Sequence, residues 1–252
     1  MLKVMVHGCN GRMGQEVIKT LQQTDDIELL CGFDREKLSE GNYMIYTDYS
    51  EIIEKPEVII DFTIPTASFK LLEYAKKNKI PTVIATTGFT EEQIATLEEY
   101  SKFIPIFKSN NMSVDINLMC KIVNEVSKIL NDTDVEIVET HHNRKIDSPS
   151  GTALMLANSI NQARNGKMKY ELDRHSKREK RDKNEIGISS IRGGNIVGEH
   201  SVMFFGENES FEIKHTSYSR TVFAEGAIRA AKFICNKSNG LYNMDDLINN
   251  QE

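Results

Sequence analysis

The amino-terminal half of the chain alternates short apolar runs with stretches of helical periodicity, and few folds accept that alternation. Leu2-Lys3-Val4-Met5-Val6 is strand-length and apolar; a glycine turn follows, then a helical stretch from about Arg12 to Gln23 and a second buried strand over Ile27 to Phe33. The pattern continues with Val58-Ile59-Ile60-Asp61-Phe62, a helical Ala67 to Lys77, Thr82-Val83-Ile84-Ala85, a helix opened by the capping box Thr90-Glu91-Glu92-Gln93, and Ile104-Pro105-Ile106-Phe107. Strands separated by helices pair through crossover connections. They predict an α/β, Rossmann-like doubly wound parallel sheet with a ligand at the carboxyl ends of its strands.

Near Ser113 the texture changes. Val114, Leu118, Ile122, Val126 and Leu130 fall four apart and predict the core-facing stripe of a long helix. A strand over Val135 to Thr140, a polar loop and a helix from about Thr152 to Arg164 follow. Lys167 to Lys183 carries charges of both signs without apolar period and reads as a solvated loop rather than a basic recognition patch. Glu185 to Ile191, Ile196 to Phe205 and Glu209 to Ser217 read as consecutive antiparallel strands joined by Gly193-Gly194-Asn195 and Gly206-Glu207-Asn208. Long, half-apolar strands with few helices to cover them suggest that another subunit covers their sheet. Thr221 to Cys235 is helical again.

Composition narrows the function classes. The 252 residues suit one large or two modest domains, and 31 basic against 37 acidic side chains give a net charge of −6, which argues against nucleic acid as partner. No apolar run approaches the roughly 18 residues of a membrane span, and Met1-Leu2-Lys3 leads straight into a strand, so a cytoplasmic protein is expected. Cysteines at 9, 31, 120 and 235 have no Cys-x-x-Cys spacing, so free thiols are expected and no metal site.

Two segments carry chemistry. Gly8-Cys9-Asn10-Gly11-Arg12-Met13-Gly14 lies between a strand and a helix, where glycines let the backbone approach a pyrophosphate and the helix start stabilises its charge. The spacing is Gly-x-x-Gly-x-x-Gly rather than the commoner Gly-x-Gly-x-x-Gly. Asp34, twenty positions after Gly14, suits the hydroxyls of an adenosine ribose, whereas Arg35 suits a 2′-phosphate; both NADH and NADPH remain open. The alternative is a glycine-rich turn beside a surface acid.

The second segment runs Glu139-Thr140-His141-His142-Asn143-Arg144-Lys145-Ile146-Asp147-Ser148-Pro149-Ser150-Gly151-Thr152-Ala153. Pro149 keeps Ser148 out of the helical region, and Ser150, Gly151 and Thr152 offer hydroxyls and N–H groups at a helix mouth, a receptor for a carboxylate. His141 or His142 exchanges a proton near neutral pH, and Lys145 donates one or neutralises an acid. The alternative, structural histidines, does not explain so dense a constellation.

With these residues in view, the chain resembles the 4-hydroxy-tetrahydrodipicolinate reductase (dihydrodipicolinate reductase) family over nearly its whole length. The resemblance is carried by Gly11-Arg12-Met13-Gly14, Asp61-Phe62-Thr63, Ala85-Thr86-Thr87-Gly88-Phe89, Asn111-Met112-Ser113-Val114, His141 to Ala153, Arg192 to His200 with Ile196-Val197-Gly198-Glu199-His200, and Ser219-Arg220. It implies a reductase of lysine and diaminopimelate synthesis, in which NADH or NADPH gives hydride to a cyclic unsaturated dicarboxylate and the positions of His141 and Lys145 supply the proton. It also implies substrate binding by His142, Lys145, Ser150, Gly151 and Thr152. Its cofactor contacts fall on Gly8, Cys9, Asn10, Gly11, Arg12, Met13, Asp34, Arg35, Ala85, Thr86, Thr87, Ser109, Asn110, Asn111 and Met112.

The implied organisation is a dinucleotide-binding domain over residues 1–112 and an α+β substrate-binding and oligomerisation domain over 113–220, with a mainly antiparallel open sheet. Residues 221–252 then return to the first domain. The implied assembly is a homotetramer with no nucleic-acid, membrane or metal partner. Four positions depart from the family pattern: Ala85 and Asp115 stand where glycine is usual, Ser148 where alanine is, and Met112 where an aromatic often lies. Two rivals share the layout. Another amino-acid or sugar dehydrogenase has no need of the Pro149-Ser150-Gly151-Thr152 receptor, and a DNA-reporting NAD(H) sensor needs a basic reading helix that this sequence lacks.

Overall fold

A computed structural model describes residues 1–38 and 42–250. The elements run β1 (Leu2–His7), α1 (Arg12–Leu21), β2 (Ile27–Phe33), β3 (Met44–Tyr46), β4 (Val58–Asp61), α2 (Pro65–Asn78), β5 (Thr82–Ile84), α3 (Glu91–Ser101) and β6 (Pro105–Lys108). They continue with α4 (Val114–Ile129), β7 (Asp134–His141), α5 (Gly151–Ala163), β8 (Lys169–Glu171), β9 (Glu185–Arg192), β10 (Gly198–Phe205) and β11 (Ser210–Ser217), then α6 (Thr221–Ile234), β12 (Gly240–Tyr242) and α7 (Met244–Asn249). Two compact units result: Met1–Val114 with Arg220–Glu252, and Asp115–Ser219.

The first unit is a parallel seven-stranded sheet in the order β12-β6-β5-β4-β1-β2-β3. Alternation along β1 sends Val4 and Val6 to one face and Met5 to the other, and both faces are covered. Val17, Ile18 and Leu21 of α1 with Ala224, Ala227 and Ile228 of α6 close the first face; Leu71, Leu72 and Ala75 of α2 with Leu97 of α3 close the second. Each large apolar side chain buried in this way contributes roughly 1.5–3 kcal/mol. The predicted capping box forms at α3, where Thr90 Oγ1 accepts the Gln93 amide at 3.2 Å and Gln93 returns a bond to the Thr90 amide. The chain leaves β1 for β2 on one side and comes back to β4 on the other. A crevice opens at the carboxyl ends where the direction reverses.

The second unit is a mixed five-stranded sheet in the order β11-β10-β7-β9-β8, with antiparallel pairing of β10 to β11 and to β7 and parallel pairing of β9 to β7 and to β8. Expected as neighbours, β9 and β10 are not paired; β7 lies between them. The glycine loop that follows β9 spends its hydrogen bonds on the end of β7: the Gly193 amide donates to His141 O at 2.9 Å, and His142 and Asn143 donate to Ile196 O and Gly194 O at 2.7 and 3.3 Å. Of the two expected hairpin turns, the one between β10 and β11 forms.

Two further expectations are corrected. Along α4 the buried row is Ile116, Met119, Val123 and Ser127; of the predicted row Val114, Val126 and Leu130 pack partly buried against the cores, while Leu118 and Ile122 are exposed. The apolar arc of this helix is wide enough to hold two adjacent rows, and spacing alone does not say which one meets the sheet. Within the charged Lys167–Lys183 stretch, Lys169–Glu171 forms β8, and Arg181 turns inward to donate to Val135 O and Glu185 O at 2.7 and 2.6 Å and to pair with Glu136. The exposed Asp115 stands in the first turn of α4, where an acid suits the positive helix end. Among the described residues no helix is long and apolar enough to cross a membrane.

Candidate active site

At the crevice of the first unit the glycine turn closes tightly. The Gly8 amide donates to Phe33 O at 2.8 Å with φ +82°, a backbone region that favours glycine, and the Gly11 amide donates to Gly8 O at 3.0 Å. A methyl on Gly14 would stand 2.1 Å from Gly8 O and 2.9 Å from Cys9 Cα. Helix α1 then starts at Gly11 with no side-chain cap, so its first N–H groups are left for an anion. Asp34 Oδ2 accepts the Asn10 amide at 2.8 Å, which joins the end of β2 to the turn.

A cleft of about 890 Å³ lies here, lined by Gly8, Asn10, Gly11, Asp34 and Arg35 among others. It brings together five of the predicted cofactor residues. Arg12 is exposed and Met13 half-buried at the start of α1. Cys9, Ala85 and Met112 place their side chains in the core instead, and burial, reinforced by Asp34, pushes the Cys9 thiol up to about 12. Any contact Cys9 makes with a ligand is through its backbone.

The loops after β5 and β6 are held from below. Asp61, fully buried at the end of β4, accepts from Thr63 Oγ1 at 2.7 Å, from Thr86 Oγ1 at 3.0 Å and from Ser68 Oγ, and pairs with His7 Nδ1 at 2.7 Å. Burial works against its charge, yet His7 and the hydroxyls of Ser68 and Thr63 hold the carboxyl below the usual range. Thr86 therefore serves the loop's shape, while Thr87 is exposed. After β6, Ser109 Oγ donates to Asn111 O at 2.6 Å, and the exposed Asn110 accepts from Lys108 Nζ at 2.8 Å.

In the second unit the chemistry follows from strand period. Val135, Ile137, Glu139 and His141 alternate onto the face covered by α4 and α5, so an apolar core at one end becomes polar at the other. The neighbours change in step: opposite Ile137 stand Ile188 and Val202, opposite Glu139 stand Ser190 and His200, and opposite His141 stands Arg192. A carboxylate at an inward position needs partners. Glu139 Oε1 accepts from Arg192 Nη2 at 2.7 Å and the Ser150 amide at 3.1 Å; Oε2 accepts from Arg192 Nη1 at 2.8 Å and pairs with His141 Nδ1 at 2.5 Å.

Electrostatics agree with these contacts. Burial would raise the Glu139 carboxyl, but the bonds from Arg192, Ser190, His141 and the Ser150 amide override it and bring the group to about 2. Burial lowers His141 from its ordinary value, and the attraction of Glu139 only partly offsets it. His200, behind it with rings 5.1 Å apart and at 75°, is depressed to about 3 by burial and by the His141 charge.

Of the predicted substrate residues, Ser150 and Gly151 stand at this polar end, and the charge of Lys145 acts on His141. Ser150 caps α5 by accepting the Ala153 amide at 3.1 Å, and the space above Gly151 is open where a side chain would stand. The Ser148–Pro149 peptide is cis. Lys145 Nζ lies 2.9 Å from Asp147 Oδ1, and the Lys145 amide donates to His142 O at 3.1 Å, curling the loop back on the two histidines. Glu139, Arg192 and His200 were not assigned roles from sequence. The signal was present: a glutamate in the inward register of a strand demands a buried cation.

Comparison with known proteins shows the family. Residues 2–112 match the family model for the amino-terminal part of dihydrodipicolinate reductase, and residues 115–248 match that for its carboxy-terminal part. A 4-hydroxy-tetrahydrodipicolinate reductase of Caldanaerobacter subterraneus subsp. tengcongensis is 48% identical over 248 residues, 98% of each chain, and one of Clostridium novyi 43% identical over 249 residues, again 98% of each. Among solved structures, the dipicolinate-bound dihydrodipicolinate reductase of Paenisporosarcina sp. TG-14 superposes with a TM-score of 0.81 at 26% identity, covering 96% of this chain and 97% of its own. On these matches, the chain belongs to the dihydrodipicolinate reductase family.

Proposed function

We propose that this protein reduces 4-hydroxy-tetrahydrodipicolinate (dihydrodipicolinate) to tetrahydrodipicolinate for lysine and diaminopimelate synthesis, with NADH or NADPH as the reductant. The observation that carries the reading is the meeting of a buried histidine, a lysine and an open helix N-terminus at one end of the second sheet, in a chain whose solved relative binds a planar dicarboxylate.

The glycine cradle fits a dinucleotide: the positive φ of Gly8, the backbone-to-backbone approach at Gly14 and the uncapped start of α1 are what a pyrophosphate requires. Asp34 and Arg35 would hold the adenosine ribose, Asp34 by its hydroxyls and Arg35 by a 2′-phosphate where one is present. When bound, the nicotinamide supplies hydride to the conjugated imine. Ser150, Gly151, Thr152 and His142 receive a substrate carboxylate at the mouth of α5, and Lys145 neutralises its charge. The enamine carbon left by reduction is protonated by His141, with Lys145 as the second donor. Exposed Ile191, Phe205 and Phe211 on β9, β10 and β11 suit a homotetramer formed through this sheet, and four free thiols suit the cytoplasm.

The test is oxidation of NADH and of NADPH, followed by nicotinamide absorbance, with the freshly formed condensation product of pyruvate and aspartate semialdehyde. Turnover that depends on that product supports the reading; oxidation indifferent to it overturns the substrate assignment. Solution mass of four chains supports the tetramer, and a monomer at assay concentration refutes it.

A further inference from the structure

Glu139 has no capacity left for a ligand. Three groups make four bonds of 2.5–3.1 Å to its two oxygens, two of them, 2.7 and 2.8 Å, from a guanidinium held edge-on, and the side chain is wholly buried. Arg192 is committed as well, because Nη2 also donates to Asp147 O at 2.7 Å. Neither group is arranged to grip a substrate. Besides the Ser150 amide and the Asp147 carbonyl, the side chain the pair holds is that of His141.

An ionised carboxylate only accepts hydrogen bonds, so the nitrogen 2.5 Å from Glu139 Oε2 must carry the hydrogen. Arg192 keeps that carboxylate ionised, since a guanidinium does not release its proton in a protein. The other ring nitrogen looks toward Gly198 of β10, where an added methyl would stand 3.2 Å from Nε2. Both features rest on strand period: Glu139 and His141 are two apart on β7, and Arg192 is the register partner of His141 on β9. The charged or titratable groups facing the ring are Glu139, Arg192 of β9, His200 of β10 and Lys145 of the loop.

We propose that Glu139 and Arg192 are positioning residues for proton transfer, a carboxylate–guanidinium clamp that fixes Nδ1–H of His141 on Glu139 and leaves Nε2 as the nitrogen that exchanges the proton. The inference rests on the reading of His141 as the acid. In the step itself the enamine π pair forms the new C–H bond, the Nε2–H pair remains on nitrogen, and the imidazolium becomes neutral imidazole with its bond to Glu139 intact. The negative charge of Glu139 and the positive charge of Arg192 cancel, so the ring is oriented without being locked in its charged form.

Nitrogen-15 NMR of labelled histidines in the intact enzyme reads this directly. Neutral His141 is expected as the Nδ1–H tautomer, and Glu139→Gln is expected to mix the tautomers. The same variant is expected to lower kcat by about 10–100-fold, the scale known for carboxylates that orient a metal-bound histidine, and to move the alkaline limb of the kcat profile to lower pH, because the imidazolium loses its carboxylate. Arg192→Lys, which keeps the charge and loses the fork, gives a milder form of both effects where Glu139→Gln folds poorly. A wild-type Nε2–H tautomer, or a Glu139→Gln protein with unchanged tautomer and profile alongside an inactive His141→Gln protein, overturns the clamp alone. A His141→Gln protein with full kcat overturns the acid assignment and the catalytic part of the clamp with it.

Discussion

Ser150 Oγ lies 3.1 Å from His200 Nε2, and the same hydroxyl accepts the Ala153 amide at 3.1 Å. A hydroxyl has one hydrogen and two lone pairs, so with the Ala153 amide on one lone pair Ser150 Oγ can still meet either tautomer of a neutral His200. The cap of α5 is thereby tied to an imidazole on β10 whose backbone faces Glu139 of β7.

That link predicts a pH dependence of stability. His200 is depressed from 6.5 to about 3, so between those values the unfolded chain binds a proton that the folded one refuses. The stabilisation is complete above about 6.5 and is lost progressively as pH falls toward about 3. Urea unfolding of the wild type across this window is expected to show falling stability, and His200→Asn a shallower slope; equal slopes contradict the assignment.

Gly14→Ala is expected to damage the cofactor site through the backbone. Its methyl would meet Gly8 O and Cys9 Cα, neither of which is a flexible side-chain end. A destabilisation of about 1–3 kcal/mol, the scale of overpacking, together with a loss of dinucleotide affinity by titration calorimetry, is the predicted result. Unchanged affinity and melting temperature contradict it.

Asp34→Ala separates the two cofactors. The variant loses acceptors for the ribose hydroxyls and a negative charge that opposes a 2′-phosphate, so the Kd for NADH is expected to rise about tenfold while that for NADPH changes less or falls. An equal loss for both would mean that Asp34 supports only the turn, through the Asn10 amide.

Lys145→Ala is expected to raise KM and lower kcat together, about tenfold or more each, because in the proposed function the lysine both neutralises the substrate and stands as a second donor. It also frees Asp147, which Lys145 holds below its usual range against the effect of burial. Lys145→Arg, retaining the charge, recovers more of KM than of kcat. Full activity of Lys145→Ala removes it from the chemistry.

Most of the first unit was readable because its signals are local, whereas the two edge strands β3 and β12, three residues each, and the short α7 are too brief to show a period and were not expected. Val4-Met5-Val6 is apolar on both sides since both faces are covered, Thr90 and Gln93 form their box within one turn, and Gly8 to Gly14 acts through its own backbone. The second unit depends on pairing between distant segments. Nothing local in Gly193-Gly194-Asn195 says that the loop bonds to His141 and His142 rather than closing a hairpin, so the position of β7 between β9 and β10 emerges only in three dimensions. The same holds for the site. His141, Lys145 and Ser150 sit within ten residues, whereas Arg192 and His200 reach Glu139 across neighbouring strands.

The central claim is that His141 protonates the reduced substrate, and the kcat of His141→Gln tests it most directly. The account predicts a fall of about 10²–10⁴-fold, the usual scale for losing a general acid, with the Kd values for dinucleotide and for dipicolinate held near those of the wild type. A variant that binds both and turns over at the wild-type rate would contradict it.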